Sequence, residues 1–123
     1  MNIYLQVALG GAVGAVLRLA TTRGLPWHGP GLPVGTFVVN VLGCFVMGFL
    51  AALFAHRGGH HLAPFLMTGI LGGYTTFSAF SLDALTLWQQ GQGGLALAYV
   101  AGSVALSLLA VVAGLSAGRA VFA

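Results

Sequence analysis

Asn40, Thr36 and a set of regularly spaced hydroxyls are the polar groups of this chain best placed to act on a ligand, and all of them lie within apolar runs. Thr36 and Asn40 are four residues apart and so share one face of a helix. Tyr99, Ser103 and Ser107 repeat that spacing and draw a polar line roughly 12 Å long on another helix. Two readings stand for the hydroxyls. Serine and threonine commonly bond back to their own helix or across to a neighbour; the other reading is a path that offers donors to a small solute. Asn40 is more demanding, because a carboxamide in the middle of an apolar span must find partners or a water-filled cavity.

A second polar set is the segment Gly69-Ile70-Leu71-Gly72-Gly73-Tyr74-Thr75-Thr76-Phe77-Ser78-Ala79-Phe80-Ser81. Two glycines inside a helix cost roughly 2 kcal/mol relative to alanine, which makes this stretch a candidate for unwinding. Non-helical backbone survives at membrane depth only where protein buries it or where it lines a watery cavity. There, freed carbonyls are cation ligands and freed N–H groups are anion ligands. The alternative is a continuous helix with a flexible, hydroxyl-rich face.

Catalysis has little to work with. Asp83 is the only acid, so no paired carboxylates exist, and without a lysine there is no Walker loop; the chain is not expected to be an enzyme. His56, His60 and His61 crowd one short connection, but a zinc site needs three or four ligands at fixed geometry, and a solvated loop is the simpler reading. Cys44, the single cysteine, reads as a small packing residue. The four arginines (Arg18, Arg23, Arg57, Arg119) are scattered, which is not a nucleic-acid footprint.

The elements that must position these residues follow from composition. Charged residues are 4% of the 123 and hydrophobic ones 59%, with a mean hydropathy of +1.01, whereas soluble domains carry about a quarter charged residues. An all-α integral membrane protein is therefore expected. Four stretches, at about 3–20, 32–55, 62–88 and 95–118, approach the roughly 20 apolar residues a spanning helix needs, and together they make a single four-helix membrane domain over 1–123. The first span has no basic segment ahead of it and reads as a retained helix, not a signal peptide. Glycine and proline punctuate the first connection, and glycine the other two. Glycines within the spans predict close helix packing. With four spans, Arg57 and Arg119 fall on one side of the membrane and Arg18 and Arg23 on the other. Balanced arginines give no strong insertion bias, so an antiparallel, dual-topology homodimer is open to this chain. Arg18 and Asp83 fall toward the same end of parallel spans and are expected to approach one another.

Three motifs carry a resemblance that covers the whole chain: Gly11-Ala12-Val13-Gly14-Ala15-Val16-Leu17-Arg18, Gly35-Thr36-Phe37-Val38-Val39-Asn40-Val41-Leu42-Gly43, and the third-span segment from Gly69 to Phe80. In order and spacing they resemble the Fluc family of bacterial fluoride channels, also called CrcB. The family commonly has phenylalanine at Tyr74 and a larger hydroxyl residue at Ala79. The resemblance implies a multi-pass protein of the bacterial cytoplasmic membrane that exports fluoride passively. It implies an antiparallel dual-topology homodimer with two fluoride pores, a third helix broken at mid-membrane, and one central structural sodium ion. The sodium would be held by backbone carbonyls of Gly72 and Thr75 from each subunit. The pore residues would be Asn40, Phe77 and Phe80, then Tyr99, Ser103 and Ser107, with Ser81 and Thr36 as lesser members and Arg18 near a vestibule. Partners would be fluoride, sodium, membrane lipid and a second copy, with no nucleic acid.

Fluoride is small and strongly hydrated, so hydroxyls, the Asn40 amide and aromatic ring edges are fitting replacements for its water. A fixed arginine at the narrowest point would hold the anion too tightly. Two other classes of protein fit a chain of this size and span number less well. A small multidrug antiporter requires a membrane-embedded glutamate in the first helix, and none is present; a non-transporting scaffold subunit leaves Asn40 and the third-span segment unexplained.

Lysines placed between Gln89 and Gly94 should drive every copy into one orientation, and fluoride resistance in cells expressing that variant alone should fall. Lysines between Gly58 and His61 should bias the other way, be equally inactive alone, and restore resistance on co-expression. Full activity of each variant alone would exclude an antiparallel assembly.

Overall fold

The computed structural model describes residues 2–123. Four helices are long and apolar enough to cross a membrane: Ile3–Gly24, Val34–Arg57, His60–Gln89 and Gly93–Phe122. The first, third and fourth run past the spans expected from hydropathy, because capping groups and interfacial residues carry them beyond the apolar stretch, whereas the second is the expected span shifted by two residues, starting after Pro33. α1 (Ile3–Gly24) starts where the Asn2 side chain accepts the Tyr4 N–H at 2.7 Å, satisfying one of the donors a helix start leaves unpaired. α2 (Val34–Arg57) follows Pro33 and stops at Gly58. Gly58 and Gly59 have φ of 77° and 87°, a region L side chains avoid.

The third span is not one regular helix. A short 3₁₀ turn (His60–Leu62) leads into a π-helical segment (Pro64–Leu71) and then one α turn, α3 (Gly72–Tyr74). Thr75 and Thr76 are extended, with ψ of 153° and 118°, and α4 (Phe77–Gln89) begins after them. The interruption thus falls after the glycine pair. Gly72 and Gly73 are helical, and the absent side chain at Gly73 serves packing: a Cβ there would press on the Gly11 carbonyl at 2.6 Å. α4 starts cleanly because Thr76 Oγ1 accepts the Ala79 N–H at 3.2 Å, the usual geometry of a threonine N-cap.

α5 (Gly93–Phe122) has 30 residues and is about 45 Å long, longer than the roughly 30 Å hydrocarbon core. Its far end is tied back to α2. Arg57 Nε donates to the Phe122 carbonyl at 3.0 Å, and the Phe122 ring meets Phe49 edge-on at 5.1 Å.

Glycines set the two main contacts. α1 lies against the π-helical segment and α3, and α2 lies against α5. A Cβ at Gly14 would overlap the Ile70 carbonyl, one at Gly48 the Val111 carbonyl, and one at Gly114 the Phe45 carbonyl. Backbones this close replace the hydrophobic driving force that lipid removes. Gly114-Leu115-Ser116-Ala117-Gly118 matches the G-x-S-x-G spacing of a hydrolase nucleophile turn, but it is continuous helix with Ser116 exposed, without the strand–turn–helix setting that chemistry requires. Large apolar side chains such as Val16 (66% exposed) and Leu97 (66%) face outward, as a surface in lipid must.

Gly48→Leu and Gly114→Leu should each destabilise the α2–α5 pair by about 1–3 kcal/mol through overpacking. Gly94→Ala, whose Cβ meets nothing within 4 Å, should stay within about 1 kcal/mol of the parent. Thermal unfolding in detergent micelles measures both.

Candidate functional site

The extended Thr75–Thr76 step leaves backbone groups that no helix can satisfy, and α2 supplies the missing partner. Asn40 Nδ2 donates to the Thr76 carbonyl at 3.0 Å, and the Thr76 N–H donates to Asn40 Oδ1 at 2.8 Å. The amide thus fills both sides of one peptide position and keeps one N–H in reserve. Thr75 Oγ1 and the Thr75 N–H both donate to the Leu71 carbonyl at 3.0 Å. On the α1 side, the Tyr74 hydroxyl lies 3.0 Å from Thr21 Oγ1. Since the Thr21 proton is directed at the Leu17 carbonyl, Tyr74 is the donor. Gly43 completes the seat: a Cβ there would overlap the Thr75 methyl.

Around this interruption is a cavity of about 240 Å³. Asn40 contributes from α2, Thr75 and Thr76 from the extended step, Phe77 and Phe80 from α4, and Ser103 and Ser107 from α5. The Phe77 and Phe80 rings are 5.5 Å apart at 63°, an edge-to-face pair. Phe80 is buried, whereas Phe77 is 77% exposed, so the cavity opens on the Phe77 side of the single chain.

The serines settle one of the alternatives. Thr21, Thr22, Thr75, Ser81 and Thr86 each donate to the carbonyl four residues earlier. Ser103 and Ser107 do not. Ser103 Oγ is buried with no hydrogen-bond partner at all, and among the described residues Ser107 makes no hydrogen bond either. A buried hydroxyl left unpaired costs about 1–3 kcal/mol, so Ser103 is a stability loss in the wall of a cavity.

Other expected site residues lie elsewhere. Tyr99 is 2% exposed; its ring packs 5.2 Å from Phe80 and its hydroxyl donates to Asp83 Oδ2 at 3.4 Å. Thr36 and Asp83 line a separate cavity of about 250 Å³ with Thr22, Trp27 and Gly35. The Ser81 hydroxyl is turned to the Phe77 carbonyl at 2.9 Å. Gly72 is exposed at the start of α3. Arg18 lines neither cavity, and the expected Arg18–Asp83 pair does not form among the described residues. The two do fall toward the same end, but after the interruption α4 leans on α5 instead of α1, which hands Asp83 to Tyr99.

Cys44, Thr76 and Val104 line the cavity although the sequence did not place them there. Cys44 follows Asn40 by four residues and shares its helical face, a signal that was available. Thr76 precedes an apolar helix in the manner of an N-cap, but nothing local marks it as the partner of Asn40.

Four helices long and apolar enough to span a membrane, three of them lining a cavity at a backbone interruption, define a multi-pass helical membrane protein. Residues 5–115 match the family of CrcB-like proteins, described as Camphor Resistance (CrcB). The chain is 60% identical over 122 residues to a protein of Paracoccus denitrificans (strain Pd 1222), covering 99% of this chain and 98% of that one. It is 53% identical over 123 residues to one of Rhizobium meliloti (strain 1021), with 98% of each covered. A relative from Rhodopseudomonas palustris (strain BisB5) is 52% identical over 122 residues, covering 96% and 98%. Each of the three is named Fluoride-specific ion channel FluC. The chain belongs to the CrcB family.

Asn40→Ala should destabilise the fold by about 1–3 kcal/mol for each Thr76 group left unpaired. Ser103→Ala should be neutral or stabilising, because it removes an unpaired buried hydroxyl. Opposite signs in thermal unfolding would separate a residue that holds the fold from one that serves a ligand.

Proposed function

We propose that this protein is a fluoride channel of the cytoplasmic membrane, exporting the anion passively. The observation that carries the reading is one cavity lined by Asn40, which keeps a spare N–H, by Ser103 and Ser107, whose hydroxyls are not bonded back to their helix, and by the Phe77 and Phe80 rings. That donor set suits a small, hard anion. Hydroxyl and amide hydrogens replace water, and the positive edges of the aromatic rings add attraction without a full charge. No arginine lines the cavity, in keeping with sites weak enough to release what they bind. The N-terminus of α4 opens beside it, and the positive end of a helix favours an anion. The names of the relatives supply the identity of the ion.

The working assembly in this reading is an antiparallel dual-topology homodimer with two pores, a second copy covering the cavity on the exposed Phe77 side. Tyr99, Thr36 and Ser81 continue the route beyond the cavity, and Arg18 stands near its mouth. A central sodium ion is the implied structural cofactor, held by the carbonyls of Gly72 and Thr75. Those oxygens fit a hard cation. In a regular helix the Gly72 carbonyl would accept from the Thr76 N–H and the Thr75 carbonyl from the Ala79 N–H. Here Asn40 Oδ1 takes the first donor and Thr76 Oγ1 the second. Both carbonyls are left with lone pairs to offer, the kind of ligand that unwound membrane helices present to alkali ions.

Fluoride efflux from liposomes containing only the purified protein tests the function. The wild type should carry fluoride. Phe77→Ile and Phe80→Ile, which keep bulk and remove the ring edge, should slow it, and Ser103→Ala should slow it without loss of fold. Unchanged flux in all three variants would remove the cavity from the ion path, and no flux from the wild type would sink the function.

A further inference from the structure

The end of the bundle where α2 and α5 finish carries positive charge that nothing among the described residues neutralises. The two helices stay in contact up to this end, since a Cβ at Gly118 would overlap Ala52 Cβ. Arg57 closes α2, and Arg119 lies in the last turn of α5. The Arg57 guanidinium is fixed over the end of α5: its Nε donates to the Phe122 carbonyl, and its centre lies 5.9 Å from the Phe122 ring centroid. Arg119 comes three residues before Phe122, so those side chains are neighbours on the helix surface, and both arginines border one ring. Arg57 spends one of its five N–H donors on the carbonyl. Among the described residues Arg119 makes no hydrogen bond, and neither arginine pairs with a carboxylate. Asp83, the only acid, is toward the other end and takes the Tyr99 hydroxyl. Cations at helix C-termini ordinarily answer the macrodipole; that accounts for the charges but leaves the outer donors unused. At the opposite end no such pair exists, because Arg18 and Arg23 are five residues apart on α1, about 140° around the helix, and Arg18 is half-buried. Depth in the bilayer supplies the second argument. α5 outruns the hydrocarbon core, which carries Arg119 to the headgroups, and Tyr4, 83% exposed in the first turn of α1, stands at the same end as tyrosines do at a membrane–water boundary.

We propose that Arg57 and Arg119 form a docking site for the headgroup of an anionic phospholipid, of the phosphatidylglycerol class. The Nη groups that Arg57 keeps free can grip two phosphate oxygens at once, and Arg119 supplies a second guanidinium to the same phosphate. A zwitterionic headgroup brings its own ammonium, which the arginines repel; phosphatidylglycerol brings none. His56, His60 and His61, exposed on the connection that follows α2, offer ring donors around the glycerol. Val121 on α5, 59% exposed, and Leu62, 45% exposed, present apolar surface along which acyl chains can lie. A lipid held in this way ties the end of α2 to the end of α5, the pair whose contact puts Ser103 and Ser107 across from Asn40. The site rests on these helices spanning a bilayer and is independent of what the cavity carries.

The test is native mass spectrometry of the full chain released from micelles that hold equal amounts of phosphatidylglycerol and phosphatidylcholine. The wild type should keep phosphatidylglycerol over phosphatidylcholine by about twentyfold, as two interfacial arginines predict. Arg119→Gln, which gives up no bond within the chain, should lower that preference about fivefold, and Arg57→Gln by about as much. Arg57→Lys and Arg119→Lys keep the charge and should keep most of the preference. Arg23→Gln removes an equal charge from the exposed end of α1 and should change nothing. Where Arg57→Gln fails to fold for want of its bond to Phe122, Arg119→Gln decides alone. Equal retention of the two lipids by the wild type overturns the site. A fall in Arg23→Gln as large as in Arg119→Gln reduces the effect to net charge and overturns it too. Glycerol 3-phosphate in large excess should leave the bound lipid in place; its displacement of the lipid would make the ligand a soluble phosphate ester and overturn the lipid assignment.

Discussion

An extended dipeptide in the middle of a membrane span has nowhere to send its hydrogen bonds except into protein, and in this molecule Asn40 receives them. Each backbone group left unsatisfied in hydrocarbon costs several kcal/mol. One carboxamide has both an acceptor and a donor at the spacing of a peptide edge, so it can satisfy the N–H and the carbonyl of Thr76 together. The remaining features of the interruption depend on this pairing. Thr76 is held in extended geometry, its hydroxyl is thereby placed to cap α4, and α4 is redirected from α1 toward α5.

The close helix contacts have the same logic at larger scale. Asn40 can reach Thr76 only because α2 comes near the third span, and Gly43 makes room for Thr75 at that approach. Gly48 and Gly114 bring α5 equally near α2, which puts Ser103 and Ser107 across from Asn40. Small residues thus do more than tighten the bundle. They bring donors from three separate helices to one space of about 240 Å³.

The hydroxyls divide by what they hold. Those of Thr21, Thr22, Thr75, Ser81 and Thr86 are spent on their own helices, which hides them from lipid at little cost. Ser103 and Ser107 withhold that bond, and Asn40 keeps one amide hydrogen after holding Thr76. Tyr99 bridges a residue of each cavity, its ring against Phe80 and its hydroxyl on Asp83. The polar line written along α5 is therefore not one continuous surface in the folded chain, since two of its members face the interruption and the third faces the acid.

Hydropathy and charge alone were enough to read four membrane spans, a membrane solvent and an even arginine balance, because these depend on composition summed over many residues. The Gly69–Ser81 segment was legible as irregular, and the i, i+4 spacing put Asn40 and Thr36, and separately Ser103 and Ser107, on common faces. Sequence left open whether the serines bond back to their helix, where the interruption falls, and what Asp83 meets. Those answers depend on the direction in which one helix leans on another, and no local pattern encodes that. Arg18 and Asp83 illustrate the limit: spans of matching direction put them toward the same end, yet a two-residue extended step turned α4 aside and gave the acid to Tyr99. Cys44 illustrates it from the other side, for its face was readable from its spacing to Asn40, but only the packing of α4 and α5 made that face the wall of a cavity.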